Sequence, residues 1–150
     1  MAPEENKELV RRDIEEVWGD GNVEMIDEIY DENFVLHDPS SPDETQGRDD
    51  YKEYVEAYRT AFPDSEYAAE EMVAEGDTVA LRYTARGTHE GELAGIEPTG
   101  ERVTVSGMEL YHVADGKIVE MWTNYDALGM FQQLGVVPPL DELGRESGGD

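Results

Sequence analysis

Cysteine is absent from this 150-residue chain, basic residues are scarce, and no apolar run approaches membrane-spanning length. Without cysteine there is no disulfide framework, no thiolate metal site and no cysteine nucleophile. Three lysines, Lys7, Lys52 and Lys117, belong to a total of 11 basic residues that face 37 acidic ones, for a formal net charge of -26. Such a surface repels nucleic acid phosphates and anionic membranes, so neither is an expected partner. The acids are spread along the whole chain rather than gathered in one tail, which reads as the acidic solvation shell of a salt-adapted protein rather than as bait for a basic partner. Met1 is followed by Ala-Pro-Glu-Glu-Asn instead of a basic and then apolar segment, and a cytoplasmic location is expected.

Familiar catalytic signatures are also missing. There is no Walker loop, no dinucleotide-binding glycine fingerprint, no HExxH zinc motif and no nucleophile elbow. His37, His89 and His112 lie far apart and lack metal-ligand spacing, so no metal site is expected.

What the chain does have is a long hairpin pattern from Val103 to Asp126, two alternating runs about Ala114-Asp115-Gly116-Lys117. Glycine takes the positive φ of a tight primed turn, so Asp-Gly between such runs is a strong hairpin signal. A two-residue turn sets Val113 opposite Ile118, Tyr111 opposite Glu120, Glu109 opposite Trp122 and Gly107 opposite Asn124. Strict alternation then puts Glu109, Trp122, Asn124 and Asp126 on one face. It puts Met108, Leu110, His112, Val119, Met121, Thr123 and Tyr125 on the other, more apolar one.

Upstream, residues 3 to 19 read as a helix with Leu9, Val10, Ile14, Val17 and Trp18 at helical spacing, and a second short helix follows Asp20 to Asn22. Phe34 to His37 reads as a short strand, and residues 49 to 62 as a helix stopped by Pro63. The period then changes to two over 67 to 74 and 78 to 88, residues 90 to 100 form a loop, and a last short helix carries Leu128, Met130, Phe131 and Leu134. Helices first and antiparallel strands after predict an α+β fold, a curved sheet wrapped around helices with an open-ended pocket between them. Residues 1–138 are read as one domain and 139–150 as a disordered acidic tail.

Candidate chemistry centres on Asp126, which ends the last strand. A carboxylate beside aromatic walls can have its pKa raised into the range useful for proton transfer. Asp126 also directly precedes Ala127-Leu128-Gly129-Met130, where aspartate is a favoured helix N-cap, and the pattern leaves the two readings even. His37 is either a proton shuttle or a strand-end histidine bound to a neighbouring acid. Glu109 and Glu120 would need counter-charges if buried, and Arg82 and Arg86 are the natural ones. Tyr51, Tyr54, Tyr58 and Phe62 form an aromatic stripe suited to a pocket wall as well as to a core.

Taken in order, a series of short motifs resembles the SnoaL-like polyketide cyclase family, within the nuclear-transport-factor-two-like superfamily of cone-shaped α+β barrels. The motifs are Gly21-Asn22, His37-Asp38-Pro39, Gly47-Arg48, Ala61-Phe62-Pro63-Asp64, Glu75-Gly76-Asp77, Gly87-Thr88-His89-Glu90-Gly91, Pro98-Thr99-Gly100, Asp115 to Trp122, Asp126 and Gln133-Leu134-Gly135. The resemblance implies a small cofactor-free enzyme that closes a ring in a polyketide ester by intramolecular aldol condensation, with an aspartate as acid and base. That aspartate matches Asp126. His37 and Trp122 are implied in or near the cavity, and face parity adds Asn124, Glu109 and Tyr51, with Tyr54 and Phe62 as further substrate contacts. The expected ligand is a small apolar carbonyl compound. Rival readings are a non-catalytic binding module with the same pocket, and a hydrolase or dehydratase of small esters or lactones. The apolar hairpin face is a candidate homodimer surface.

Self-repulsion among the acids makes stability depend on screening. The thermal unfolding midpoint should rise by several degrees between about 0.05 M and 1 M sodium chloride; a midpoint indifferent to salt would contradict the acidic-shell reading.

Overall fold

The computed structural model describes residues 2–41, 43–142 and 144, so most of the expected acidic tail, residues 143 and 145–150, lies outside the described residues. The opening helical stretch has two parts. Helix α1, Pro3–Arg12, starts with Pro at its first turn, carries Glu4 and Glu5 there and Arg11 and Arg12 at its end, and so complements its own dipole. It then widens into a π-helical segment, Asp13–Gly19, that buries Asp13, Ile14, Val17 and Trp18 together. Asp13, four residues after Leu9 and four before Val17, continues the apolar stripe into this segment, so an aspartate lies among the apolar side chains.

A 3₁₀ turn, Val23–Met25, and helix α2, Ile26–Ile29, lead into strand β1, Tyr30–His37, and the short β2, Thr45–Gln46. Helix α3, Gly47–Ala61, follows, then β3 (Glu66–Glu75), β4 (Thr78–Thr88), β5 (Arg102–Ala114), β6 (Lys117–Tyr125) and α4 (Ala127–Leu134). The sheet order is β2-β1-β6-β5-β4-β3, with β1 parallel to β6 and every other neighbouring pair antiparallel. The expected α+β class is thus observed. The six strands form a curved sheet that is not closed, β2 and β3 being its two edges, and α1, the π segment and α3 fill its concave side. Buried side chains of the helices, among them Val10, Ile14, Val17, Tyr51 and Val55, meet those of the strands, among them Phe34, Leu81, Tyr111 and Met121, in one core.

The turn of the β5–β6 hairpin is as expected, with Asp115 and Gly116 both at positive φ (51° and 76°) and Ala114 facing Lys117. The register beyond it is not. Val113 faces Ile118, but His112 faces Glu120, so Val119 is an extra residue in β6, a β-bulge. A one-residue slip exchanges the faces of everything that follows. Glu109 therefore pairs with Thr123 and Tyr111 with Met121, while Leu110 pairs with Trp122 and Met108 with Asn124. Two expectations are corrected by this bulge. Trp122 and Asn124 stand on the outer face, and Met121, Thr123 and Tyr125 on the concave one, where Met121 and Thr123 are buried.

Candidate active site

Between the concave face and the helices lies a cavity of about 70 Å³, room for roughly five water molecules. Trp18 of the π segment, Tyr54 and Tyr58 of α3, and Tyr67, Tyr83 and Tyr125 of three strands supply most of its wall. Phe62, Val103, Val105 and Met130 extend the apolar lining towards Gly87 and the exposed Arg86. Alternation in β4 and β5 explains this placement, because Tyr83, Ala85 and Gly87 share one face, as do Val103, Val105, Glu109 and Tyr111. Gly107 keeps the wall thin, since a Cβ there would stand 2.7 Å from the Tyr83 ring.

Among the described residues that line this cavity, Glu109 is the one carboxyl. Thr123 Oγ1 donates to its Oε2 at 3.1 Å, and Tyr111 Oη lies 2.6 Å from its Oε1. Behind it, Tyr111 Oη is 3.1 Å from Asp13 Oδ2, and Tyr51 Oη donates to Asp13 Oδ1 at 3.0 Å. Trp18 Nε1 and Tyr30 Oη each donate to Tyr51 Oη at 3.0 Å. All eight tyrosines of the chain are thereby placed, five on the cavity and Tyr30, Tyr51 and Tyr111 in the network beneath it.

Among the described residues no cation neutralises either acid. Arg82, expected as a counter-charge, points outward to Glu71 at 3.4 Å, and Arg86 sits exposed on the cavity's rim. Burial pushes the Glu109 carboxyl up to about 8, with the nearby Asp13 charge adding to the rise and the Tyr111 and Thr123 hydroxyls opposing it. Burial likewise raises Asp13 to about 6, against hydrogen bonds from Tyr30, Tyr51 and Tyr111. Of the two carboxyls, the one facing the cavity is thus held the higher, in the manner of an acid kept as a hydrogen-bond donor. Burial also raises Tyr54, Tyr58 and Tyr83 beyond any working pH and takes Tyr67 up to about 12, so these tyrosines of the wall are uncharged.

A second polar cluster closes one side. Asp38 accepts from Tyr54 Oη at 2.8 Å and from Ser40 Oγ at 2.6 Å, Ser40 Oγ reaches Tyr125 Oη at 3.1 Å, and Tyr125 and Tyr58 share a hydroxyl contact of 2.5 Å. The loop after β1 is thus tied to α3 and β6 across the cavity's edge.

Residues 8–134 match the family of SnoaL-like polyketide cyclases. The chain belongs to that family. Aklanonic acid methyl ester cyclase DauD of Streptomyces sp. (strain C5) is 29% identical to it over 142 residues, covering 90% of this chain and 84% of that protein. In structure, a candidate SnoaL-like polyketide cyclase of Jannaschia sp. CCS1 superposes with a TM-score of 0.84 at 27% identity, covering 93% of this chain and 98% of the other. AclR of Streptomyces galilaeus, a candidate hydroxylase, superposes with a TM-score of 0.81 at 28% identity, over 98% of this chain and 91% of the other. The SnoaL-like fold therefore accompanies more than one assigned chemistry, and the residues of this cavity must carry the functional reading.

Seen against this SnoaL-like cavity, the residues singled out from sequence divide. Glu109, Tyr54 and Phe62 line it. Tyr51 is fully buried one layer further in, bonded to Asp13 rather than facing the open space. Asp126 is exposed at the start of α4, where its Oδ1 accepts the Gly129 N–H at 2.8 Å, and it is not part of the lining. Of the two readings left even by sequence, the N-cap is the one its contacts realise. His37 lies outside the cavity too. Its Nε2 is 2.7 Å from Glu120 and its Nδ1 2.5 Å from Glu44, its ring stacks on Trp122 at 5.1 Å, and the hydrogen bond to Glu120 leads the causes that raise its pKa. Asp13 and Tyr111 went unnoticed as site residues. Asp13 falls four residues after Leu9 and four before Val17, so an acid on the apolar stripe was the available signal.

The raised carboxyl has a stability consequence. The native state holds the Glu109 proton more tightly than the unfolded chain, so its contribution is present below the unfolded value near 4 and is lost as pH rises through about 8. Glu109→Gln should be more stable than the parent at pH 8.5, by on the order of a few kcal/mol, with the difference vanishing towards pH 4. Denaturant titrations at the two pH values check this; a difference independent of pH would contradict the buried-acid assignment.

Proposed function

We propose that this chain is a cofactor-free acid/base enzyme that closes a ring in a small apolar carbonyl compound by intramolecular aldol addition, with Glu109 as the acid. The observation that carries this reading is a buried carboxyl facing an apolar, aromatic-walled cavity, with no cation in contact with it among the described residues. Glu109 donates its proton to the carbonyl oxygen of the electrophile as the enol carbon of the same molecule forms the new C–C bond. The enol hydroxyl then becomes a carbonyl and returns its proton to the Glu109 carboxylate, so the enzyme ends as it began. Family membership supports ring closure as the reaction, and the methyl ester cyclised by DauD is a reasonable first substrate to offer. The aromatic wall favours a flat, weakly polar ligand.

This reading moves the acid from Asp126 to Glu109. Asp126 is instead a structural cap, and His37 and Trp122 brace the outer face. That outer face carries Met108, 59% exposed, and Leu110, 38% exposed, beside the partly buried Trp122. Two copies of this patch would cover one another about a twofold axis, so we extend the proposal to a homodimer formed by the sheet's outer face.

Two experiments follow from these assignments. Turnover of aklanonic acid methyl ester, and of simpler β-keto methyl esters, is measured by chromatography for the parent, Glu109→Gln and Asp126→Asn. Glu109→Gln should lose about 100-fold or more in kcat while Asp126→Asn stays within a few-fold, and the parent's rate should fall as pH rises through about 8. Full activity in Glu109→Gln would overturn the proposal, and tight binding without turnover by the parent would favour a binding module. For the assembly, sedimentation at 1 M salt should give a dimer that Met108→Asp converts to monomer; a parent monomer would contradict it.

A further inference from the structure

We infer that Asp13 is a positioning residue for the acid step: its carboxylate takes the hydrogen of Tyr111, which leaves Glu109 as the group that must supply the second hydrogen of the Glu109–Tyr111–Asp13 bridge. Hydrogen counting carries this inference. Tyr111 Oη makes two oxygen–oxygen contacts, 2.6 Å to Glu109 and 3.1 Å to Asp13, but owns one hydrogen. Two close contacts between oxygens need two hydrogens, and the second can come only from a carboxyl.

Which carboxyl supplies it is set by the donors around Asp13. The indole of Trp18 can only donate, and it donates into Tyr51 Oη, which in turn donates to Asp13. Asp13 therefore already sits in a nest of hydroxyl donors suited to its charged form. Glu109 has a single side-chain donor besides Tyr111, the Thr123 hydroxyl. With Tyr111 turned towards Asp13, the resting Glu109 proton lies on Oε1 against Tyr111 Oη while Oε2 accepts from Thr123, and rotation of the carboxyl brings that proton round to a ligand in the cavity. Other titratable groups around the pair are Tyr30, Tyr51, Tyr67 and Tyr83, with Asp38 contributing at longer range. None is a cation, so after burial itself the negative charge of Asp13 is the next reason for Glu109 to stay neutral.

Asparagine at position 13 reverses the hydrogen pattern. Its amide oxygen would accept from Tyr51, its NH₂ would face Tyr111 Oη, and the Tyr111 hydrogen would turn to Glu109 and stabilise the carboxylate there. The inference rests on the reading of Glu109 as the acid, and its test is therefore made without turnover. Protein carrying ¹³C-carboxyl glutamate is titrated by NMR, with the Glu109 signal assigned by its loss in Glu109→Gln. In the parent, the Glu109 signal should titrate far above the usual glutamate range and show a smaller second inflection at lower pH, where Asp13 takes up its proton. In Asp13→Asn the Glu109 midpoint should fall by about one unit or more, and the basic limb of any pH–rate profile should move with it. A purely structural Asp13 would change the unfolding midpoint and leave the Glu109 titration where it was, which overturns the inference. Should Asp13→Asn fail to fold, a single simple inflection for Glu109 in the parent overturns it equally.

Discussion

The central constraint in this molecule is a pair of buried carboxyls joined by one tyrosine hydroxyl, with no cation among the described residues to neutralise them. Two ionised acids at such separation in an apolar interior would be expensive, and no described arginine or lysine supplies the usual remedy. The protein instead surrounds one acid with hydroxyl donors backed by an indole and gives the other fewer, which favours the protonated form there. Most of the aromatic polar groups of the chain serve that arrangement, either by donating to Asp13 or by walling off the space in front of Glu109.

Two departures from regular secondary structure surround the pair. The π-helical segment after Arg12 buries Asp13 with Ile14, Val17 and Trp18. The bulge at Val119 brings Thr123 rather than Trp122 opposite Glu109, where its hydroxyl can reach the carboxyl. A regular β6 would have given the same sheet order with a different cavity floor. Irregular backbone is thus where the fold, shared widely with other members of the family, becomes a site belonging to this chain.

The layout of the fold was largely legible in the residues. Period-two runs located β3, β4 and the hairpin, Asp115-Gly116 located its turn, and proline and glycine punctuated the helices. The site was legible only in part. Face parity put Glu109 on the concave face, where it lies, because β5 is regular, and misplaced Trp122 and Asn124, because β6 is not. The adjacent Ile118-Val119 pair followed by Met121 and Thr123 does break strict alternation, and that break is the trace a bulge leaves in sequence. Asp13 was harder to see, since an acid on a helix in a chain with 37 of them draws no notice until its neighbours are known to be apolar on every side. Asp126 drew attention by ending the last strand beside aromatic residues and by likeness to a family residue, whereas its own surroundings, a backbone amide three residues on and open solvent, suit the cap that its position before α4 equally offered.

The central claim is that the cavity holds a protonated carboxyl at neutral pH, and infrared difference spectroscopy tests it most directly. The spectrum of the parent minus that of Glu109→Gln at pH 7 should contain the C=O band of a protonated carboxylic acid, which gives way to carboxylate bands as pH rises through about 8. A difference spectrum that already shows only carboxylate at pH 7 would contradict the account.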